Sequence, residues 1–378
     1  MHFLNFAAVA CALNIPILDV LIDDVSGLGD SRIDDRNHLI EFEGGVREWV
    51  TEEELLDTLR ANIRFFDITY HQDTPITMKK TVQFPDKVHS SELVNELARG
   101  LKKGNMEDNL KEFSGFYTRY AKSEHGLNSS LWLHDQVQSI SAGRADISVH
   151  LFDHAWQQKS LIARFEGSER PEDVIIVGAH QDSINLILPS FLPAPGADDD
   201  GSGTVTILEV FRVLAQSNYQ PANTVEFHWY SAEELGLLGS QDVFAEYANK
   251  KVNVLAMLQQ DMTGYSSGSY EKTGKDQFGV ITDFVDPGLT SFIKTVADAY
   301  CEIEYVESKC GYACSDHASA SKHGYPSAFV IEANFENTNH KIHTTGDTVA
   351  ELDFDHMLQH AKLTLGYAVE LGNATFKL

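Results

Sequence analysis

Beyond its first residues this 378-residue sequence has no apolar run long enough to cross a bilayer, so the mature protein is expected to be soluble. Basic residues are scarce: 29 Lys and Arg stand against 56 Asp and Glu, a formal net charge of -27. Phosphate would be repelled over most of such a surface, which argues against a nucleic-acid partner and an anionic membrane. Nothing points to a low-complexity or fibrous chain. With 43% hydrophobic and 22% charged residues the composition is globular, and the length suits one large α/β domain or two smaller ones. Cysteine occurs four times. Cys11 falls in the N-terminal apolar stretch and Cys301 stands apart, leaving Cys310 and Cys314 together in Cys-Gly-Tyr-Ala-Cys. A short loop disulfide is one reading of that pair; zinc binding is the other, but a second pair of thiols or histidines at matching spacing is missing.

The apolar, Ala-rich stretch from Phe3 to Leu18 reads as a secretory signal peptide over residues 1–18, although no Lys or Arg precedes its core; a buried strand or helix is the alternative. A secreted chain could carry glycans on the sequons at Asn128 and Asn373. Residues 19–80 are acidic and lack catalytic residue types at useful spacing. Thr51 followed by Glu54 is a capping box opening an amphipathic helix with Leu55, Leu56, Leu59, Ile63 and Phe66 on its apolar face. That face must be buried against the body downstream, either as part of the fold or as a removable pro-segment. The dibasic Lys79-Lys80 would suit a processing protease, which sets the expected catalytic domain at 81–378.

Residues 90–140 read as helical, with Leu93, Leu97, Leu101, then Phe113, Phe116, Tyr117 and Tyr120 at helical spacing. From about residue 147 short apolar strands alternate with helices: strands at 160–165, 174–179, 224–230, 252–258, 278–283 and 327–332, helices near 204–216, 240–249, 288–301 and 354–371. Such alternation implies an α/β fold, a mostly parallel sheet covered by helices on both faces. Ligands in these folds bind at the carboxyl ends of the strands.

Unusual residues gather at those ends. The strand at 174–179 runs into His180-Gln181-Asp182, that at 224–230 into Ser231-Ala232-Glu233-Glu234, and that at 252–258 ends at Asp261; between the first two of these lies Ala197-Asp198-Asp199-Asp200-Gly201, and late in the chain comes Ile342-His343-Thr344. Asp-rich turns also cap helices and Glu pairs usually face water, but several such groups at successive strand ends are harder to dismiss. A two-zinc hydrolase needs a bridging carboxylate plus one imidazole and one further carboxylate on each metal. His180, an Asp of the triple, Glu234, Asp261 and His343 fill those roles, and Asp182 could accept the second imidazole N–H of His180 and fix its tautomer.

Together with Cys310-Gly311-Tyr312-Ala313-Cys314-Ser315-Asp316-His317, these motifs resemble the M28 family of zinc aminopeptidases, with the greatest likeness to fungal secreted leucine aminopeptidases. The resemblance covers nearly the whole chain, including Glu48 to Glu54, which looks like their pro-segment. It implies a single zinc-peptidase domain of sheet sandwiched by helices, two zinc ions per chain, Asp199 as the bridge, His180 and Asp261 on one zinc, and Glu234 and His343 on the other. Glu233 becomes the general base, Asp182 and Tyr312 assist, and Cys310 pairs with Cys314. Met262, Ile281, Ile331, Phe335 and Ile342 match positions lining the apolar side-chain pocket. Thr338 stands where bacterial relatives carry an aromatic residue, so the shape of that pocket departs from theirs.

The expected substrates are peptides with a free, apolar N-terminal residue such as Leu, and a secreted monomeric zymogen without nucleic-acid or membrane partners is the expected form. A carboxypeptidase or acylase of the same architecture, a non-catalytic binding module, and a single-zinc cyclase of N-terminal glutamine are the rivals. Against the first, no Arg follows Arg212, and Arg164 and Arg212 fall inside a strand and a helix rather than at strand ends, where a terminal carboxylate would be held. Against the second, a receptor would not need all six polar positions.

Overall fold

The computed structural model describes residues 37–72 and 81–376, apart from Glu43, Asn62 and Arg64. The signal-peptide stretch and Lys79-Lys80 lie outside the described residues. The chain begins with β1 (His38–Phe42), β2 (Arg47–Val50), α1 (Glu52–Arg60) and β3 (Phe65–Asp67). The three strands form a small antiparallel sheet in the order β2-β1-β3. At the start of α1 the Glu54 carboxylate accepts the Thr51 N–H at 2.8 Å while Thr51 Oγ1 accepts the Glu54 N–H at 3.2 Å, the reciprocal cap expected from the sequence. The helix ends at Arg60, short of the expected Phe66: Phe66 instead stands in β3, and Ile63 is exposed.

Next come α2 (Ser91–Ala98), α3 (Lys103–Phe113), α4 (Glu124–Ile140), β4 (Ile147–Phe152), β5 (Ser160–Phe165), β6 (Arg170–His180), α5 (Gly203–Gln216), β7 (Asn223–Tyr230), α6 (Leu238–Lys250) and β8 (Asn253–Gln260). The chain closes with α7 (Ser267–Thr273), β9 (Gln277–Ile281), α8 (Pro287–Tyr300), β10 (Glu304–Ser308), α9 (His317–Lys322), β11 (Ser327–Ile331) and α10 (Phe354–Asn373). Eight strands make one sheet in the order β10-β9-β11-β8-β6-β7-β5-β4. Its centre, β11-β8-β6-β7, is parallel, whereas β5 and β4 add antiparallel at one edge and β9 pairs antiparallel with β11 near the other.

Alternation along β6 shows why two helical layers are needed. Ile175, Val177 and Ala179 belong to the larger core with α5, α8 and α10, while Val174 and Ile176 belong to the opposite core with α6. β6 is buried on both faces over residues 174–179 and is apolar throughout that stretch, a continuous run, whereas in β7 the apolar Val225, Phe227 and Trp229 alternate with Glu226 and His228, which are buried in contact with each other. β4 is an edge strand with alternating half-burial and gave a weaker signal. Among the described residues no helix is long and apolar enough to cross a membrane.

The N-terminal sheet and α1 have a separate small core. Ile40, Val50, Leu55, Leu59 and Phe65 pack on Tyr120, Ala121, Ile184, Ala232, Leu235 and Leu238 of the main body. Each fully buried Leu contributes about 1.5–3 kcal/mol. Polar contacts join in around the apolar centre: Glu41 with Lys322 at 2.8 Å, Glu52 with Lys122 at 2.8 Å, His71 with Asp242 at 2.5 Å, and the Arg60 guanidinium on the Leu186 carbonyl at 2.7 Å.

Candidate active site

The carboxyl ends of β6, β7 and β8 deliver His180, Glu233-Glu234 and Asp261 to one place, and two loops bring in Asp199 and His343. Asp199 offers a different oxygen to each imidazole: Oδ1 lies 3.1 Å from His180 Nε2 and Oδ2 lies 2.9 Å from His343 Nε2. Glu234 Oε2 is also 2.9 Å from His343 Nε2, and Asp261 Oδ1 is 3.6 Å from His180 Nε2. The other Glu234 oxygen is buried without a hydrogen-bond partner, a costly condition for a carboxylate that does not hold a cation. Two groups of ligand-type atoms result, His180, Asp200 and Asp261 in one and Asp199, Glu234 and His343 in the other.

Asp200 joins the first group by proximity, but its carboxylate is already engaged by three backbone amides: His180 N at 3.1 Å, Gly203 N at 2.9 Å and Met262 N at 3.0 Å. Asp198 is similarly occupied, by Gly264 N at 3.1 Å and the Asn339 amide at 3.0 Å. Of the three aspartates, Asp199 alone turns both oxygens toward imidazoles. Its own backbone is fixed by Asp347, which accepts the N–H groups of Asp198 and Asp199 at 2.9 and 3.1 Å.

Asp182 has two tasks. Its Oδ1 faces His180 Nδ1 at 3.3 Å, and its two oxygens accept the backbone N–H groups of Glu233 and Glu234 at 3.0 and 3.2 Å. The Glu233 carboxylate stands 4.0 Å from His180 Nε2. His343 sits at φ +59°, in the left-handed region seldom used by non-glycine residues, as do Ala232 and Met262 nearby. Ser315 donates to Asp261 Oδ2 at 2.5 Å.

Crowding of carboxylates around two imidazoles dominates the electrostatics. Burial alone would lower the pKa of both imidazoles; Asp261 and Glu233 outweigh it at His180, raising that group well above the usual range, and Glu234 with Asp199 raises His343 to about 10. Burial would raise Asp199, yet its hydrogen bonds to His180 and His343 hold it below the ordinary carboxylate range. Glu233 is pushed well upward by burial and by Glu234, Asp261 and Asp316, against the opposing pull of His180.

Beside Asp199, Glu233 and Asp261 a cavity of about 70 Å³ is lined by Met262, Tyr312, Phe329, Ile331, Phe335 and Ile342, with Thr338 and Cys314 completing the wall. Ile281 is buried in the same apolar cluster but does not line the cavity. Phe329 does, and sequence reading missed it because a buried strand residue looks like plain core. Tyr312 packs edge-on against Phe335 with ring centroids 6.0 Å apart. Cys310 and Cys314 form a disulfide. Toward the N-terminal sheet, Leu59 and Phe65 share a second small cavity with Glu233, Glu234 and Tyr312. Gly236 allows that approach: a Cβ there would lie 2.7 Å from the Asp67 backbone nitrogen. The sequons place Asn128 and Asn373 at exposed positions, each on a helix.

One residue was missed altogether. Arg119 is fully buried beside the site, and its guanidinium donates to the carbonyls of Gln181 at 2.8 Å, of Gly196 at 2.7 Å and of Pro195. Burial lowers its pKa to about 10 against the attraction of Asp347, Asp182, Asp200 and Asp199. Turned onto backbone carbonyls, it is not displayed for a substrate carboxylate.

Comparison with known proteins gives a consistent picture. The profile of peptidase family M28 matches residues 160–368. Leucine aminopeptidase 1 of Phaeosphaeria nodorum is 54% identical over 351 residues, 90% of each chain. The protein of the same name from Ajellomyces capsulatus is 50% identical over 387 residues, spanning 99% of this chain and all of that one. Among solved structures, the LapA aminopeptidase of Legionella pneumophila superposes with a TM-score of 0.77 at 28% identity, over 86% of this chain and 90% of that one.

Proposed function

The chain belongs to peptidase family M28 and is an aminopeptidase, and from that premise we propose that it cleaves apolar N-terminal residues from peptides with two zinc ions held by His180, Asp199, Glu234, Asp261 and His343. The observation that carries the metal reading is the opposed presentation of the two Asp199 oxygens to His180 and His343. Imidazole and carboxylate donors suit zinc, and the partnerless Glu234 oxygen supplies a further one. When bound, such ions would supply Lewis acidity and lower the pKa of water.

The remaining roles fall to side chains of this protein. Glu233, held by its backbone on Asp182, is placed to take a proton from the attacking water and return it to the departing amine. Asp182 orients the His180 ring through Nδ1. Tyr312, on the cavity wall beside Glu233, is assigned to the substrate carbonyl. Met262, Ile331, Phe335 and Ile342 receive an apolar side chain, and the acidic rim of Glu233, Glu234 and Asp261 favours a free ammonium. The Arg119 guanidinium is spent on the carbonyls of Gln181, Pro195 and Gly196 and so offers no fork for a terminal carboxylate.

Residues up to about 80 are proposed as a pro-segment. Support comes from their separate small sheet, its interface with a polar margin, and the position of Leu59 and Phe65 against Glu233 and Tyr312. Secretion accords with the apolar N-terminal stretch, the Cys310–Cys314 disulfide and the exposed sequons.

The test pairs metal analysis with a substrate panel. Two zincs per chain, release of Leu from Leu-peptides and C-terminally amidated peptides, and no cleavage of N-acetylated peptides are expected. One zinc with full activity, or cleavage of the acetylated series, would overturn the reading.

A further inference from the structure

Arg119 lies in the irregular stretch between α3 and α4, more than sixty residues before the site in sequence, yet it is among the largest fully buried side chains of the molecule. Taking a guanidinium out of water costs several kcal/mol unless its donors are satisfied, so its partners are informative. They belong to two loops. Nε donates to the carbonyl of Gln181, the residue after His180, at 2.8 Å, while Nη1 and Nη2 donate to the carbonyls of Pro195 and Gly196, which lead into Asp199. Its backbone N–H donates to Ser183 Oγ at 3.0 Å, and Ser183 Oγ in turn donates to the Ala194 carbonyl at 2.8 Å, tying the same two loops a second time. The guanidinium lies over the Phe113 ring with its carbon 4.3 Å from the centroid, so the plane has little room to tilt.

The packing is tight on the other side as well. A Cβ on Gly196 would stand 2.5 Å from the Ser183 Cβ and 2.8 Å from Arg119 Nη2. Both loops are thus closed down on one rigid planar group, whose donor directions are fixed by its chemistry. Around it lie Asp182, Asp199, Asp200 and Asp347, whose attraction opposes the cost of burial.

We infer that Arg119 is a positioning residue that sets the spacing between His180 and Asp199, and thereby the fit of the two-metal centre, by bridging the loop after β6 to the loop before Asp199. The inference rests on the two-zinc reading and goes beyond it, because Arg119 touches neither substrate nor any proposed metal-binding atom. A neutral side chain of similar length could fill the space but could not join three carbonyls across two loops. Lysine would keep the charge on a flexible stem and lose the planar fork, so its effect should be intermediate.

The experiment compares wild type with Arg119→Met, Arg119→Lys and Arg119→Gln, measuring the affinity of each metal by chelator competition, the visible and EPR spectra of the cobalt-loaded forms, kcat and KM at saturating zinc, and the melting temperature. Loss of an outer partner typically costs about 10–100-fold in metal affinity or activity. Arg119→Met should therefore lose about that factor in metal affinity or kcat, leave KM within roughly threefold, and show an altered cobalt spectrum. A purely structural role would lower the melting temperature and leave the spectrum and affinities of the folded fraction unchanged, and that result overturns the inference. Should Arg119→Met not fold, Arg119→Lys and Arg119→Gln decide it by the same readouts: wild-type affinities and spectra in a folded variant overturn it, weakened ones support it. A wild-type protein that holds a single metal removes the two-metal reading itself and this inference with it, so the two failures are distinguishable.

Discussion

The Asp182 carboxylate accepts the backbone N–H of Glu233 at 3.0 Å. The same oxygen faces His180 Nδ1, so one side chain sets the ring of a proposed metal ligand and the seat of the proposed base. Glu233→Gln leaves this scaffold untouched and removes only the proton acceptor. Positioned acid-base catalysis contributes about 10²–10⁴-fold, so kcat should fall by at least that range while both zincs remain bound. Near-normal turnover with two zincs would remove Glu233 from the mechanism; loss of a zinc would mean that Glu233 and Glu234 had exchanged roles.

His343→Ala should behave differently. His343 Nε2 is 2.9 Å from both Asp199 and Glu234, and its loss leaves those carboxylates without their imidazole. One zinc should leave, activity should drop with it, and added metal should restore part of it. Elemental analysis alongside a zinc titration of activity checks this; a variant that retains two zincs would exclude His343 as a ligand.

For the N-terminal segment, Leu55→Ala is informative because Leu55 is buried in the small core that joins α1 to the body. Leu→Ala at a buried site costs about 2–5 kcal/mol, enough to loosen docking without touching the catalytic residues. The unprocessed chain should then gain activity toward a Leu-nitroanilide, and N-terminal sequencing of the active secreted form should find a start near Thr81. A fully active enzyme beginning at Asp19 or Val20 contradicts the pro-segment.

Acid stability should depend on Glu226, a buried carboxylate on β7 bound to Arg164, His228 and Tyr247. Burial raises its pKa, but His228 and Arg164 more than reverse this and bring it from 4.5 to about 2. The fold therefore favours the ionised form, and the stability so gained is complete above pH 4.5 and lost as pH falls through about 2. That contribution is on the order of 3 kcal/mol at most. Glu226→Gln should be less stable near neutrality and show a flatter fall between about pH 5 and 2 in urea midpoints, measured with chelator present throughout. Parallel acid limbs for the two proteins would refute this.

Much of this arrangement could be read in the sequence because parallel strands put functional groups at one end. His180 and Asp261 each follow a largely apolar strand and Glu233-Glu234 follows one in which Val225, Phe227 and Trp229 alternate with polar residues, and the periodicity that marks each strand also marks its end. Spacing alone could not choose among Asp198, Asp199 and Asp200. The choice depends on which oxygens backbone amides already occupy, and those amides come from residues up to 66 positions away. Arg119 and Asp347 were illegible for a related reason: both act on backbone atoms, which carry no residue signature. The antiparallel β4 and the short β10 escaped detection as half-exposed edge strands.

The apolar patch beneath the N-terminal sheet bears on how the protein behaves in bulk. Taking residues 37–72 away would lay bare Ile184, Ala232, Leu235 and Leu238 beside the candidate site, a sticky collar on the particle. Residues 81–378 carry 41 Asp and Glu against 22 Lys and Arg, a formal charge of -19, and mutual repulsion would keep two such collars from meeting at neutral pH. Near the isoelectric point of the trimmed form that barrier vanishes, so the trimmed form should precipitate there while the covered form stays dispersed longer at its own isoelectric point. The acidic surface, on this view, works as a colloidal stabiliser that becomes important once the segment is gone.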